Sequence, residues 1–282
     1  MVIFKEIEPL IAFLKDKKAG GLSIGLVPTM GALHQGHLEL VKASKNDNPI
    51  TVCTIFVNPT QFNNSADLEK YPRTVEQDIA KLESVGCDVL FHPENETMYR
   101  KPSTIKLDFG DLDKVFEGEF RSGHFSGVAL VVSKLFNVVN PNRAYFGQKD
   151  FQQFKIISRL VEELNFNIEL ICFPTFREPD GLAMSSRNLR LSEQERKNAL
   201  VFYSSLLFAK SELLKGTDFK LIQSKVIEMC LKESVRLEYF ALADTENLNL
   251  LEFVKQTIPS ILVMAGFVGE IRLIDNMFVE QG

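Results

Sequence analysis

Apolar positions along the chain follow two different periods. Ile7, Leu10, Ile11 and Leu14 recur at helical spacing, and the apolar run at residues 23–27 then reads as a short buried strand. A second run, residues 51–57, is rich in β-branched side chains. After it, Val75, Ile79 and Leu82 share one helix face, with Thr74 and Gln77 spaced as a capping box. Residues 89–91 read as a strand, 127–139 as a buried helix, 144–146 as a strand, 151–164 as a helix and 168–173 as a strand. Strands alternating with helices predict an α/β fold, a parallel sheet covered on both faces. Ligands of such sheets sit beyond the carboxyl ends of the strands. That rule singles out the loops at residues 28–37, 58–62, 147–150 and 174–187.

The pattern changes after about residue 187. Ser192 and Glu195 form a second capping box, opening a long helix that is expected to stop near Gly216. A further helix is expected over residues 219–234. Strand-like runs follow at residues 237–243, 261–267 and 270–274, with no room for a helical crossover between the last two. Helices followed by mostly antiparallel strands predict a smaller α+β domain. The expected division is 1–180 for the sheet domain and 181–282 for the C-terminal domain, with the linker in the loop at 177–188.

Composition narrows the function classes. The 282 residues are 45% apolar and 24% charged, as in an ordinary globular enzyme, and the formal net charge of −5 disfavours a general nucleic-acid binder. The apolar runs at 128–139 and 258–268 are too short to span a bilayer, which takes roughly 20 residues. The first ten residues carry Lys5, Glu6 and Glu8 and do not read as a signal peptide. Cys53, Cys87, Cys172 and Cys230 are scattered, which suits buried thiols in a reducing compartment. A cytoplasmic protein, bound to neither membrane nor nucleic acid, is expected.

Four strand-end segments carry the candidate chemistry. In Met30-Gly31-Ala32-Leu33-His34-Gln35-Gly36-His37 a strand ends, a glycine turn follows and a helix begins. Helix N-termini offer free N–H groups and partial positive charge to an anion. Two imidazoles there can donate to phosphate oxygens. A plain strand–turn–helix junction and a zinc pair at i and i+3 fit the same spacing. Gly147-Gln148-Lys149-Asp150 offers a phosphate cation and either a ribose acceptor or a helix cap. Met184-Ser185-Ser186-Arg187 joins two hydroxyls to an arginine, a set that suits a polyphosphate or a solvated linker. Gln61, in Phe56-Val57-Asn58-Pro59-Thr60-Gln61-Phe62, and Gln153 are neutral amides suited to a hydroxy acid. Residues 118–128, with Arg121 and His124, read as an active-site loop whose role the spacing does not assign.

Together the segments VPTMGALHQGH, FVNPTQF, GHFSGV, FGQKDFQQ, REPDGLAMSSRN and GEIRLIDN resemble the pantoate–β-alanine ligase family of the HxGH nucleotidyltransferase superfamily. The resemblance runs from about residue 27 to 276 and implies a Rossmann-like sheet domain with a smaller C-terminal α+β domain. It implies an ATP-dependent ligase that activates pantoate as pantoyl adenylate and passes it to β-alanine. Met30, Gly31, Ala32, Leu33, His34, Gln35, Gly36 and His37 would form part of the ATP site, with His37 as proton donor and His34 beside it. Gly147, Gln148, Lys149, Asp150, Phe176, Met184, Ser185, Ser186 and Arg187 would complete it. Gln61 and Gln153 would bind pantoate, and Gln61 also β-alanine. Mg²⁺ would accompany the ATP phosphates, without an all-protein metal site. A homodimer is the family expectation. Two features depart from the family pattern. Phe176 stands where a smaller aliphatic residue is usual, and Arg121-Ser122-Gly123 replaces a loop that commonly carries proline.

Overall fold

Two periods of apolar residues become two units in the computed structural model, which describes residues 1–62, 68–69, 71–255 and 257–279. One unit comprises Met1–Gly147 and Gln152–Phe173; the other comprises Gln148–Phe151 and Pro174–Gly282.

The first unit is built on six parallel strands: β1 (Val2–Phe4), β2 (Ile24–Thr29), β3 (Ile50–Ile55), β4 (Val89–Phe91), β5 (Arg143–Gly147) and β6 (Glu169–Phe173). Their order in the sheet is β1-β4-β3-β2-β5-β6. The central strands bury residues on both faces, as Ile24, Leu26, Val27, Val52, Cys53, Val89, Leu90 and Phe91 show. That is why they read as continuous apolar runs rather than as alternations. The predicted parallel α/β sheet is therefore present. β1 was not legible in the sequence, because it is three residues long with Val2 and Ile3 exposed. Strand order reverses between β2 and β5, and open sheets place their ligand crevice at such a switch point.

Helices cover the sheet through their apolar stripes. Helix Ile7–Ala19 buries Leu10 and Leu14, and helix His124–Val139 buries Phe125, Val128, Val132, Leu135 and Phe136 among others. The latter starts at His124, three residues before its predicted first residue. Gly127 in this helix lies against the Pro59–Gln61 turn so closely that a Cβ there would stand 2.2 Å from the Thr60 carbonyl oxygen. No described helix is long and apolar enough to cross a membrane.

Helix Val75–Ser84 forms where predicted, but its start is built differently. Thr74 makes no side-chain cap bond; its hydroxyl donates instead to Asp78 Oδ2 at 3.1 Å. Asp78 is completely buried and reaches across to the loop after β2. Its Oδ2 accepts the Ala32 N–H at 2.9 Å, and its Oδ1 accepts the Leu33 N–H at 2.8 Å. Lys81, one turn later, donates to the Leu33 carbonyl at 2.6 Å. One helix thus fixes both edges of the peptide groups that lead into the candidate site.

The second unit has its own core. The predicted capping box is present: Glu195 N–H donates to Ser192 Oγ at 3.3 Å, and Ser192 N–H to Glu195 Oε2 at 2.8 Å. The single long helix expected after it is two, Glu193–Ala199 and Val201–Leu214. At the junction Leu200 N–H bonds back three residues to Lys197, a tighter turn that interrupts the α-helical ladder. Helix Phe219–Lys232 follows, capped by Asp218. Strands β7 (Val235–Asp244), β8 (Ser260–Val268) and β9 (Ile271–Val279) form an antiparallel sheet in that order, as expected. Phe202, Leu206, Ile222, Val226, Leu242, Leu262 and Met264 fill the space between helices and sheet.

The four cysteines are free thiols. Burial pushes Cys53 well up and raises Cys87, Cys172 and Cys230 to about 11, so all four remain protonated near neutral pH.

Asp78→Asn keeps the size of the side chain but turns one acceptor into a donor facing an N–H. Losing hydrogen bonds to a buried charge costs about 2–4 kcal/mol. A urea-denaturation midpoint lowered accordingly is expected. A midpoint equal to that of the unmodified protein would show that Asp78 does not anchor the loop.

Candidate active site

The loop after β2 combines backbone freedom with fixed donors. Gly31 takes a left-handed φ of +82°, and Ala32 follows at φ +49°. A Cβ on Gly31 would stand 3.0 Å from Ile55 and 3.2 Å from Asp78 Oδ2, so the position is closed to side chains. Ala32 carries a Cβ, and a non-glycine residue in this region is strained and needs its surroundings to hold it. The two amides bound by Asp78 supply that restraint.

His34 is the N-cap residue of helix Gln35–Asp47, and His37 lies in its first turn. Their rings stack with centroids 3.9 Å apart and planes at 28°. His37 Nδ1 accepts the His34 backbone N–H at 3.3 Å. An accepting Nδ1 places the proton of a neutral imidazole on Nε2. His37 is therefore set to act as a donor through Nε2, at a helix end that already favours anions. Gln35 turns away to Glu39, with Nε2 to Oε1 at 2.6 Å, which leaves its backbone as the part facing the turn. Met30, His34, Gly36 and His37 are all partly exposed. Among the described residues no group of three or more His, Cys, Asp or Glu could hold a metal ion.

The loop after β3 meets this one. Gln61 Nε2 donates to Met30 Sδ at 2.9 Å, and Gln61 Oε1 accepts from Asn58 Nδ2 at 3.1 Å. Asn58 is held in turn by the Gly127 carbonyl at 3.1 Å and by the Tyr99 hydroxyl, which donates to Asn58 Oδ1 at 2.8 Å. Burial raises the Tyr99 phenol, which keeps that donor protonated. His124 Nδ1 lies 2.9 Å from the Gln61 carbonyl oxygen and ties the same turn from the backbone side. The network fixes the Gln61 amide with its NH₂ available to an oxygen acceptor. Gln153, on helix Phe151–Glu163, is half-buried, and among the described residues no protein group hydrogen-bonds its amide. Its neighbour Gln152 is the structural one: it accepts the Glu117 N–H at 3.0 Å and donates to the Leu112 and Val115 carbonyls at 2.8 Å each.

Of the remaining candidates, Gly147 ends β5 in the first unit and the others belong to the second. Gln148, Lys149 and Asp150 form a short 3-10 turn after β5, with Gln148 and Lys149 partly exposed and Asp150 exposed. The segment from Phe176 to Arg187 is a built loop rather than a solvated linker. Arg177 makes a bidentate pair with Asp275, Nη1 to Oδ2 at 2.7 Å and Nη2 to Oδ1 at 2.9 Å, and lies 4.4 Å over the Tyr203 ring. Burial pushes the Asp275 carboxyl up, against the opposing pull of Arg177. Met184 N–H donates to the Phe176 carbonyl at 3.0 Å, and Ser185 Oγ caps the following turn by accepting the Arg187 N–H at 3.3 Å. Ser186 and Arg187 remain partly exposed, as a phosphate contact requires.

Asp78, Lys81, Arg177 and Asp275 escaped assignment in the sequence. A signal existed for two of them. Asp78 occupies the apolar face that Val75, Ile79 and Leu82 define, and Asp275 continues the inward alternation of Ile271 and Leu273. A carboxylate at an inward position marks a buried acceptor that must have donors.

Comparisons with known proteins identify the family. The family model for pantoate-β-alanine ligase matches residues 2–278. The pantothenate synthetase of Bacteroides fragilis is 46% identical over 281 residues, covering 98% of each chain. That of Aquifex aeolicus is 46% identical over 283 residues, covering 99% of each. The crystal structure of the Thermus thermophilus enzyme superposes with a TM-score of 0.93 at 39% identity and covers all of both chains. The Francisella tularensis pantoate-β-alanine ligase, solved in complex with β-γ ATP and β-alanine, gives 0.80 at 34% identity, over 100% of this chain and 99% of that one. From residue 2 to residue 278, in sequence and in fold, the chain belongs to the pantoate–β-alanine ligase family.

Proposed function

We propose that the chain condenses pantoate with β-alanine, driven by ATP, through a pantoyl-adenylate intermediate. The observation that carries the reading is the helix N-terminus at His34–His37, where the accepting Nδ1 of His37 leaves Nε2 as a donor. In the first step a pantoate carboxylate oxygen attacks the α-phosphorus. The new O–P bond forms as the bond to the β-phosphate oxygen breaks, and diphosphate leaves. In the second step the β-alanine amine attacks the acyl carbon, loses a proton and displaces AMP.

Attack of one anion on another is opposed by charge, so the chain must supply cations and donors at the phosphates. His34 and His37 serve that purpose in this reading, with Lys149, Ser185, Ser186 and Arg187. The backbone of Met30, Gly31, Ala32, Leu33, Gln35 and Gly36 receives the nucleotide, together with Gly147, Gln148, Asp150, Phe176 and Met184. Gln61 and Gln153 hold pantoate, and the oriented NH₂ of Gln61 suits its carboxylate or hydroxyl oxygens. Mg²⁺ would accompany ATP and offset part of the phosphate charge. The chain's own residues act on the phosphates rather than on the ion. A cytoplasmic setting fits the four protonated free thiols, and a homodimer is carried over from the family.

AMP release should require ATP, pantoate and β-alanine together, and omission of any one should abolish it. AMP formed at an undiminished rate without pantoate would overturn the reading. His37→Ala should lower kcat by roughly 10²–10³, the effect of losing one donor to developing charge. Its circular-dichroism melting curve should match that of the unmodified protein, and near-normal turnover in such a folded variant would remove His37 from the mechanism.

A further inference from the structure

The late segment Gly269-Glu270-Ile271-Arg272-Leu273-Ile274-Asp275-Asn276 carries no assigned chemistry, yet its last two residues are buried and polar, each only 3% exposed. Their partners explain why. Asn276 Nδ2 donates to the Gln148 and Lys149 carbonyls, both at 2.9 Å, while Asn276 Oδ1 accepts from Gln148 Nε2 at 3.0 Å. Both polar atoms of this one amide are engaged by the turn that presents Lys149. Two residues further along β9, Phe278 meets Phe151 edge-on, with ring centroids 5.3 Å apart, and holds the other end of the turn.

Asp275, the preceding residue, serves the other segment. Through the bidentate pair with Arg177 it anchors the start of the loop that ends in Ser185, Ser186 and Arg187. Arg177 then spans the loop's base, donating to the Gly181 carbonyl at 3.1 Å and to the Asn276 carbonyl at 3.2 Å. The two residues are adjacent on one strand, so their spacing is set by a single peptide unit and by the antiparallel pairing with β8.

We infer that Asp275 and Asn276 are positioning residues for the nucleotide phosphates, setting the Lys149 turn and the Ser185–Arg187 loop in register from one strand. Neither touches substrate in this account, which rests on the proposed roles of Lys149 and Arg187. Their effect is geometric: a displacement of about 1 Å at a phosphate contact is enough to cost up to 10²-fold in rate. Of the two, Asn276 is the more discriminating, because its amide donates to two carbonyl oxygens at once. An aspartate of the same shape would set carboxylate oxygen against carbonyl oxygen.

The test is steady-state kinetics of Asn276→Asp and Asp275→Asn, with Lys149→Ala and Arg187→Ala as reporters of the nucleotide site. Both positioning variants should lower kcat/KM for ATP on the order of 10-fold or more, with KM for pantoate changed by less than about twofold. Asn276→Asp should also be non-additive with Lys149→Ala, because it acts through that residue. Unchanged kcat/KM for ATP in a folded variant, full additivity with Lys149→Ala, or loss of folding in both variants would overturn the inference and assign the pair to stability alone. If Lys149→Ala and Arg187→Ala themselves leave kcat/KM for ATP unchanged, the nucleotide-site reading fails first.

Discussion

A carboxylate removed from water must be given donors, and that constraint organises the candidate site. Asp78 is wholly buried, and its donors include the backbone amides of Ala32 and Leu33 beside the Thr74 hydroxyl. Its burial and the shape of the loop are one fact seen from two sides. The amides satisfy the charge, and the charge holds a loop whose φ values at Gly31 and Ala32 an unrestrained chain would leave. The loop in turn sets where helix Gln35–Asp47 begins, and therefore where His34 and His37 stand.

The second unit repeats the device with different chemistry. Asp275 is nearly as inaccessible, but its donors are a charged guanidinium and one amide, the Asn276 N–H at 2.7 Å, rather than a pair of amides. A bidentate arginine pair fixes angle as well as distance. Tyr203 under the guanidinium limits it further. Both aspartates lie on regular elements, one on a helix and one on a strand, and both restrain loops. Regular elements hold positions more sharply than loops do, so the segments of the proposed nucleotide site take their precision from the scaffold.

The sheet and the loops beyond its strands are legible in the sequence. The parallel sheet announced itself through unbroken apolar runs, because strands buried on both faces need them, and the strand-end rule then pointed to the loops at residues 28–37 and 58–62. What the sequence could not show was partnership at a distance. Thr74 and Gln77 looked like a capping box, but the nearby buried charge of Asp78 took the Thr74 hydroxyl. The long helix after Ser192 read as continuous because Leu200 is apolar and α-helical in its own dihedrals. Strand β1 left no pattern because a three-residue edge strand with two exposed side chains has none to leave. Both Gln61 and Gln153 read in sequence as neutral amides suited to a hydroxy acid. The structure separates them: Asn58 orients the Gln61 amide, while no described protein group hydrogen-bonds that of Gln153.

The central claim is that this site transfers an adenylyl group to a carboxylate before any amine is involved. Exchange of labelled diphosphate into ATP isolates that half-reaction. With ATP, Mg²⁺ and labelled diphosphate, the account requires incorporation of label when pantoate is added, without β-alanine. No incorporation with pantoate, or incorporation that depends instead on a phosphate ester, would contradict it.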